Sequence, residues 1–190
     1  MRSMTQLLLL VTIGASLLGF ASGGQAFTAF ALWPLGSGFA PWQLVTYALL
    51  HGGLLHLAFN MYGLWMFGSA LEQVWGARRL LQYYLVSVLV AGLVQLMVAS
   101  GSPMAYPTVG ASGGLFGLLL GYAMLFPQRR LMLLFPPIPM PAWVFVTLYG
   151  MLELYLGVTG SGQGVAHFAH LGGMAAGYAM LVFWRNKARR

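Results

Sequence analysis

This chain of 190 residues contains no cysteine and no aspartate, and its acidic residues are Glu72 and Glu153 alone. Without cysteine there are no disulfides, no thiolate nucleophile and no cysteine-ligated metal. Without aspartate there is no chemistry built on an aspartate pair. Charge of either sign is scarce, at 6% of residues against about 25% in soluble domains. What fills the chain instead is apolar: 59% of residues are hydrophobic and the mean hydropathy is +0.80. That composition excludes a soluble globular domain and reads as an integral membrane protein.

About 20 apolar residues cross the hydrocarbon of a bilayer. Measured against that length, the apolar runs predict an all-α bundle of six transmembrane helices near 7–22, 54–71, 80–99, 112–126, 143–158 and 166–184. They fill a single domain over 1–190 and leave little chain for anything else. The net charge of +7 does not form a nucleic-acid face, because the basic residues are neither clustered on one surface nor interleaved with aromatics. They mark topology instead. Arg2, Arg78 and Arg79, Arg129 and Arg130, and Arg185, Lys187, Arg189 and Arg190 fall on alternate sides, and the intervening loops 23–53, 101–110 and 159–165 carry no Lys or Arg. The positive-inside rule then puts both termini in the cytoplasm. The beginning of the chain also resembles a signal peptide, with Arg2, a leucine-rich core and Ala21-Ser22-Gly23. The loop charges are already satisfied by six spans, so it is read here as an uncleaved first span.

Two residues with chemistry then fall at one depth. Ser112 opens the fourth span 17 residues before Arg129, and His170 lies near the start of the sixth, 15 residues before Arg185. At about 1.5 Å per residue both stand roughly 22 to 26 Å above the cytoplasmic arginines. Small residues offer a way to bring them together, because helices in lipid associate through close backbone approach. The fourth span carries Gly113, Gly117 and Gly121, and the sixth carries Gly173 and Gly177 on roughly the face of His170. The pair suggests a serine nucleophile and an imidazole base inside a membrane. The glycines could equally serve packing alone, with Ser112 a helix cap. His167, one turn from His170, is the competing base, and His170 matches the depth and the glycine face better.

The second span adds His51 near its outer end and then His56 and Asn60, an i, i+4 pair on one face. Polar side chains inside a span face protein or water. Acyl transfer needs donors aimed at an oxyanion, and His56, the Asn60 amide and the Ser112 backbone N–H could supply three. Interhelical hydrogen bonding is the alternative use of His56 and Asn60.

These residues together resemble the rhomboid family of intramembrane serine proteases. The resemblance rests on His51-Gly52-Gly53-Leu54-Leu55-His56 with Asn60, on Gly110-Ala111-Ser112-Gly113, and on Ala169-His170-Leu171-Gly172-Gly173 with Gly177. It covers nearly everything from Trp42 onward. It implies a six-helix bundle with a Ser112–His170 dyad in a water-filled cavity open to the outer face, and an oxyanion hole that includes His56 and Asn60. It further implies transmembrane protein substrates entering laterally past spans two and five, Phe116 packed on the catalytic histidine, and residence in a bacterial inner membrane.

The acid inventory supports a dyad, since a conventional triad needs a carboxylate to orient the imidazole. Glu72 is expected at the cytoplasmic end of span two, far from Ser112, so ring and helix packing would orient His170. Glu153 lies about 18 Å above the cytoplasmic end of span five. An intramembrane acid is a functional candidate, expected to hydrogen-bond a neighbouring span or to tune a span-five gate. Gln43 follows Trp42 where many relatives have arginine, so no charge-based anchoring of the first loop carries over. No metal or cofactor is required by this chemistry, and a zinc-protease His-Glu-x-x-His motif is absent. Rival readings are a relative that captures transmembrane clients without cutting them, and a transporter, which would want paired broken helices. The proline-rich run 136–141 is expected in an inner loop. Substrate identity, cleavage preference and oligomeric state are not legible.

Overall fold

The computed structural model describes residues 3–101, 106–132, 137–161 and 164–188. Arg2, Arg189 and Arg190, together with part of the loops at 101–110, 133–138 and 159–165, lie outside the described residues. The long helices are α1 (Met4–Ala21), α4 (Leu54–Gly63), α5 (Ser69–Ser100), α6 (Ser112–Leu125), α7 (Ala142–Thr159) and α8 (His167–Ala188). Two short helices, α2 (Gln25–Phe30) and α3 (Gln43–Thr46), lie between α1 and α4. Each apolar run expected from the sequence falls on helix. Among the described residues, three helices are long and apolar enough to cross a membrane: Met4–Ala21, Ala142–Thr159 and a 47-residue run, Leu54–Ser100.

That long run is α4 joined through a π-helical segment, Leu64–Gly68, to α5. It is broken at Gly76, whose φ of 76° and ψ of 165° take the backbone out of the helix. Only glycine adopts such an angle without strain, so 54–75 and 77–100 run as two helices, each near the length of one crossing.

Where an all-α fold was expected, the described residues include one short hairpin. Strand β1 (Arg130–Met132) pairs antiparallel with β2 (Pro139–Pro141), with Leu131 opposite Met140. A two-strand ribbon needs few donors from its proline-bearing partner, which is why this proline run can pair at all.

The helices pack by small residues, as expected where lipid removes the hydrophobic drive between them. On α1 the buried positions are Thr5, Thr12, Ser16 and Gly19, whereas Leu7, Leu10, Val11, Leu17 and Leu18 are exposed. The centre of the molecule is α5, α6 and α8. A Cβ on Gly173 would run into the Gly113 carbonyl, and one on Gly117 into the Ser87 hydroxyl with the Gly173 carbonyl 3.1 Å away. A Cβ on Gly177 would run into the Tyr83 hydroxyl and lie 3.2 Å from the Gly117 carbonyl. Gly121, expected on the face toward α8, instead meets Trp75 and Tyr83. The stripe of every fourth residue drifts around α6, because four residues overshoot a 3.6-residue turn.

Both carboxylates and the first loop are tied down. Glu72 accepts hydrogen bonds from the Met4 and Thr5 backbone N–H groups at 2.7 and 2.9 Å and from the Thr5 hydroxyl at 2.7 Å. It therefore satisfies donors that the start of α1 cannot satisfy within the helix. Gln43, 1% exposed, accepts from the Trp33 and Ala40 backbone N–H groups, both at 3.2 Å, and donates to the Gly38 carbonyl at 3.2 Å. A neutral amide with both donors and acceptors thus organises the first loop where a charge was not available. Leu32 and Thr108 then join this loop to the segment before α6 through two backbone bonds of 2.9 Å.

Candidate active site

Ser112 is the first residue of α6, and the cap position is Ala111, which makes no side-chain cap bond. The Ser112 hydroxyl is therefore not spent on capping. It lies 2.8 Å from His170 Nε2. The close approach of α6 and α8 sets this distance: a side chain at Gly173 would run into the Gly113 carbonyl and force these two helices apart, while one at Gly113 would meet Ala91 of α5. Phe116, one turn along α6, stacks on the His170 ring with centroids 4.2 Å apart and planes 7° from parallel. Tyr149 of α7 packs against Phe116 with ring centroids 4.9 Å apart.

Ring stacking and helix packing, expected to act alone on His170, are joined by a carboxylate. Glu153 Oε2 of α7 lies 2.9 Å from His170 Nδ1. The same oxygen lies 2.7 Å from His167 Nδ1. Position along span five was readable from sequence; which way the side chain points around the helix was not. His167, weighed as a competing base, faces Glu153 through Nδ1, and its Nε2 has no partner among the described residues. Glu153, His167 and His170 also bring three ligand atoms within 4.8 Å of one another, a set that could hold a metal ion. The 2.7 and 2.9 Å separations are hydrogen-bond lengths, shorter than the roughly 3.3 Å between ligand atoms about 2.0 Å from a tetrahedral zinc.

Gly110 has φ of 126°, a backbone angle that L side chains rarely adopt. Its N–H donates to the Tyr47 carbonyl at 3.0 Å. A Cβ there would come within 2.9 Å of the His56 ring and 3.7 Å of Ser112 Oγ, so His56 lies over Gly110 beside the serine. Asn60 is buried and donates to the His56 carbonyl at 3.1 Å. His51, grouped with these two from sequence, sits elsewhere in the hydrogen-bond pattern. The Ser16 hydroxyl donates to the Leu49 carbonyl at 2.7 Å, so its oxygen accepts from His51 Nδ1–H at 2.9 Å. His51 Nε2 is then free to accept from the Ala111 N–H at 3.4 Å. With Nδ1 donating and Nε2 accepting, the ring is a neutral imidazole in this role. It braces α1 against the start of α6.

Ser112, His170, His56 and Asn60 all line one cavity of about 1000 Å³. The rest of its lining is mostly apolar and includes Phe59 and Tyr62 of α4 and Leu148 and Leu152 of α7. The backbone N–H groups of Ser112 and its neighbours in the first turn of α6 have no intrahelical partner, and they border the same space.

A helical membrane protein in which a serine and a histidine meet at the wall of a cavity, with a carboxylate hydrogen-bonded to the histidine's other ring nitrogen, is the class that the fold and site define. Residues 38–187 match the rhomboid domain family, and the chain belongs to that family. It is similar to Rhomboid protein 1, mitochondrial, of Saccharomyces cerevisiae, with 35% identity over 104 residues, 54% of this chain and 30% of that protein. It is also similar to Rhomboid protease GluP of Bacillus subtilis, with 30% identity over 137 residues, 72% of this chain and 25% of that protein. The matched stretch is less than a third of either relative's length.

Proposed function

We propose that this protein is an intramembrane serine endopeptidase that cuts transmembrane segments of other membrane proteins near the outer face of the bilayer. In this reading its helices make six crossings with both termini cytoplasmic, in a bacterial inner membrane. The observation that carries the reading is the 2.8 Å contact of Ser112 Oγ with His170 Nε2 at the wall of the cavity. A relative named as a rhomboid protease adds to it.

The substrate segment unwinds locally, because a helix in lipid keeps its carbonyls hydrogen-bonded. Its peptide carbon is attacked by Ser112 Oγ while His170 Nε2 takes the hydroxyl proton. The oxyanion is held by the His56 ring, the Asn60 amide and the Ser112 N–H. His170 then protonates the leaving amine, and water in the cavity hydrolyses the acyl-enzyme. The gap between α4 and α7 is the lateral path for the substrate.

The test is cleavage of a single-span model substrate with small residues near its outer boundary, by liposome-reconstituted wild type, Ser112→Ala and His170→Ala. Loss of cleavage in both folded variants, by about 10³-fold or more, supports the assignment. Substrate binding without cleavage by wild type would replace it with client capture.

A further inference from the structure

We propose that Glu153 is the positioning residue for His170, making the hydrogen-bonded array a Ser112–His170–Glu153 triad rather than a dyad. This rests on the reading of Ser112 and His170 as nucleophile and base.

The geometry has the required order. Ser112 Oγ is 2.8 Å from His170 Nε2, and His170 Nδ1 is 2.9 Å from Glu153 Oε2. An ionised carboxylate only accepts hydrogen bonds, so Nδ1 must carry the proton and Nε2 is left as the acceptor facing the serine. Stacking on Phe116 fixes the plane of the ring but leaves the tautomer undetermined. The carboxylate removes that freedom.

Burial argues the same way. Glu153 is 3% exposed, and a buried carboxylate is tolerated only with hydrogen bonds or a counter-charge. Oε2 receives two donors, from His167 and His170, one turn apart on α8. His167 has no partner at Nε2 among the described residues, so its proton belongs on Nδ1. His167 thus holds the carboxylate in place while His170 uses it. The other acid, Glu72, is occupied at the start of α1.

In the step itself, the Ser112 O–H proton moves to His170 Nε2 as the Oγ–C bond forms and the carbonyl π pair shifts onto oxygen. The Nδ1 proton stays on the ring, and the ionised Glu153 becomes the counter-charge of the new imidazolium.

The experiment compares wild type, Glu153→Gln, Glu153→Asp and His167→Phe in the full chain, each checked for folding by thermal unfolding. Turnover is measured with the single-span substrate, Ser112 reactivity by labelling with a fluorophosphonate, and the His170 tautomer by ¹⁵N NMR. Glu153→Gln should lower kcat by about 10² to 10⁴-fold with KM within about threefold, since tautomer control of this kind is worth that much elsewhere. The His170 ¹⁵N signal should move from the Nδ1–H form toward a tautomer mixture, and fluorophosphonate labelling should slow in parallel. Glu153→Asp should recover part of both. His167→Phe should cost less than Glu153→Gln, about tenfold, the low end of what losing a supporting hydrogen-bond partner costs.

An unchanged His170 ¹⁵N signal and labelling rate in folded Glu153→Gln would overturn the proposal. So would loss of wild-type activity on chelation of metal ions, which would make the cluster a metal site. Labelling and NMR need no protein substrate. If wild type cleaves nothing but both readouts still depend on Glu153, the protease reading fails and the positioning role stands.

Discussion

The faces where α5, α6 and α8 meet and the faces of α4 and α7 that look across the cavity are built from opposite materials. The first set is glycine in close contact, with no room for a methyl group at Gly113 against Ala91, at Gly173 against the Gly113 carbonyl, or at Gly177 against the Tyr83 hydroxyl. The second carries Phe59, Tyr62, Leu148 and Leu152, all exposed and all bordering the cavity. Helix α7 buries only Ala142, Val146 and Glu153 of its 18 residues. The close-packed side fixes the distance between Ser112 and His170. The open side carries the carboxylate that reaches across to His170, so a shift of α7 changes the hydrogen bonding of the base.

The contrast can be broken from either side. Gly173→Val sets a branched side chain against the Gly113 carbonyl and should destabilise the fold by about 3 kcal/mol or more. A fall in folded yield and in the thermal unfolding temperature in detergent would register it, and a variant as stable as wild type would show that the helices can part freely. On the open side, the absence of cysteine makes Phe59→Cys with Leu148→Cys a clean pair. Bridging them with a reducible bifunctional reagent should cut cleavage of a transmembrane substrate by about tenfold or more, as for other enzymes whose gate is held shut. Labelling of Ser112 by a small fluorophosphonate should persist, and reduction should restore cleavage. Unimpaired cleavage by the bridged protein would move the substrate path elsewhere. The smallest effect belongs to Leu154→Ala, on the exposed face of α7 next to Glu153. Stability should stay within about 0.5 kcal/mol of wild type, and a larger change would mean that this face has a partner.

What the sequence disclosed is depth, and what it withheld is direction around each helix. Ser112 and His170 could be placed in one layer by counting residues to the arginines, and glycine spacing supplied a reason for their helices to meet. The same counting located Glu153 along α7, yet a lone acid among apolar neighbours has no pattern from which its facing can be read. His51 and His56 stand five residues apart, and their different tasks depend on Ser16 and Gly110, which lie far from both in sequence. Gln43 was legible only as a missing charge, because its partners are backbone groups of a loop with no periodicity. The break at Gly76 left only a single glycine in the sequence, between two runs already separated by Arg78 and Arg79.

The bonds between Glu72 and the start of α1 carry a consequence for how the molecule is made. Synthesis runs from the amino terminus, so α1 emerges long before residue 72. Ser3 and Gln6 cap each other locally, through bonds of 3.1 and 3.2 Å. The Met4 and Thr5 donors have no such local partner and wait for the glutamate. Helix α1 is therefore completed at its leading end only once the later helix that carries Glu72 has been made, so its final seating waits on a partner 67 residues further along the chain.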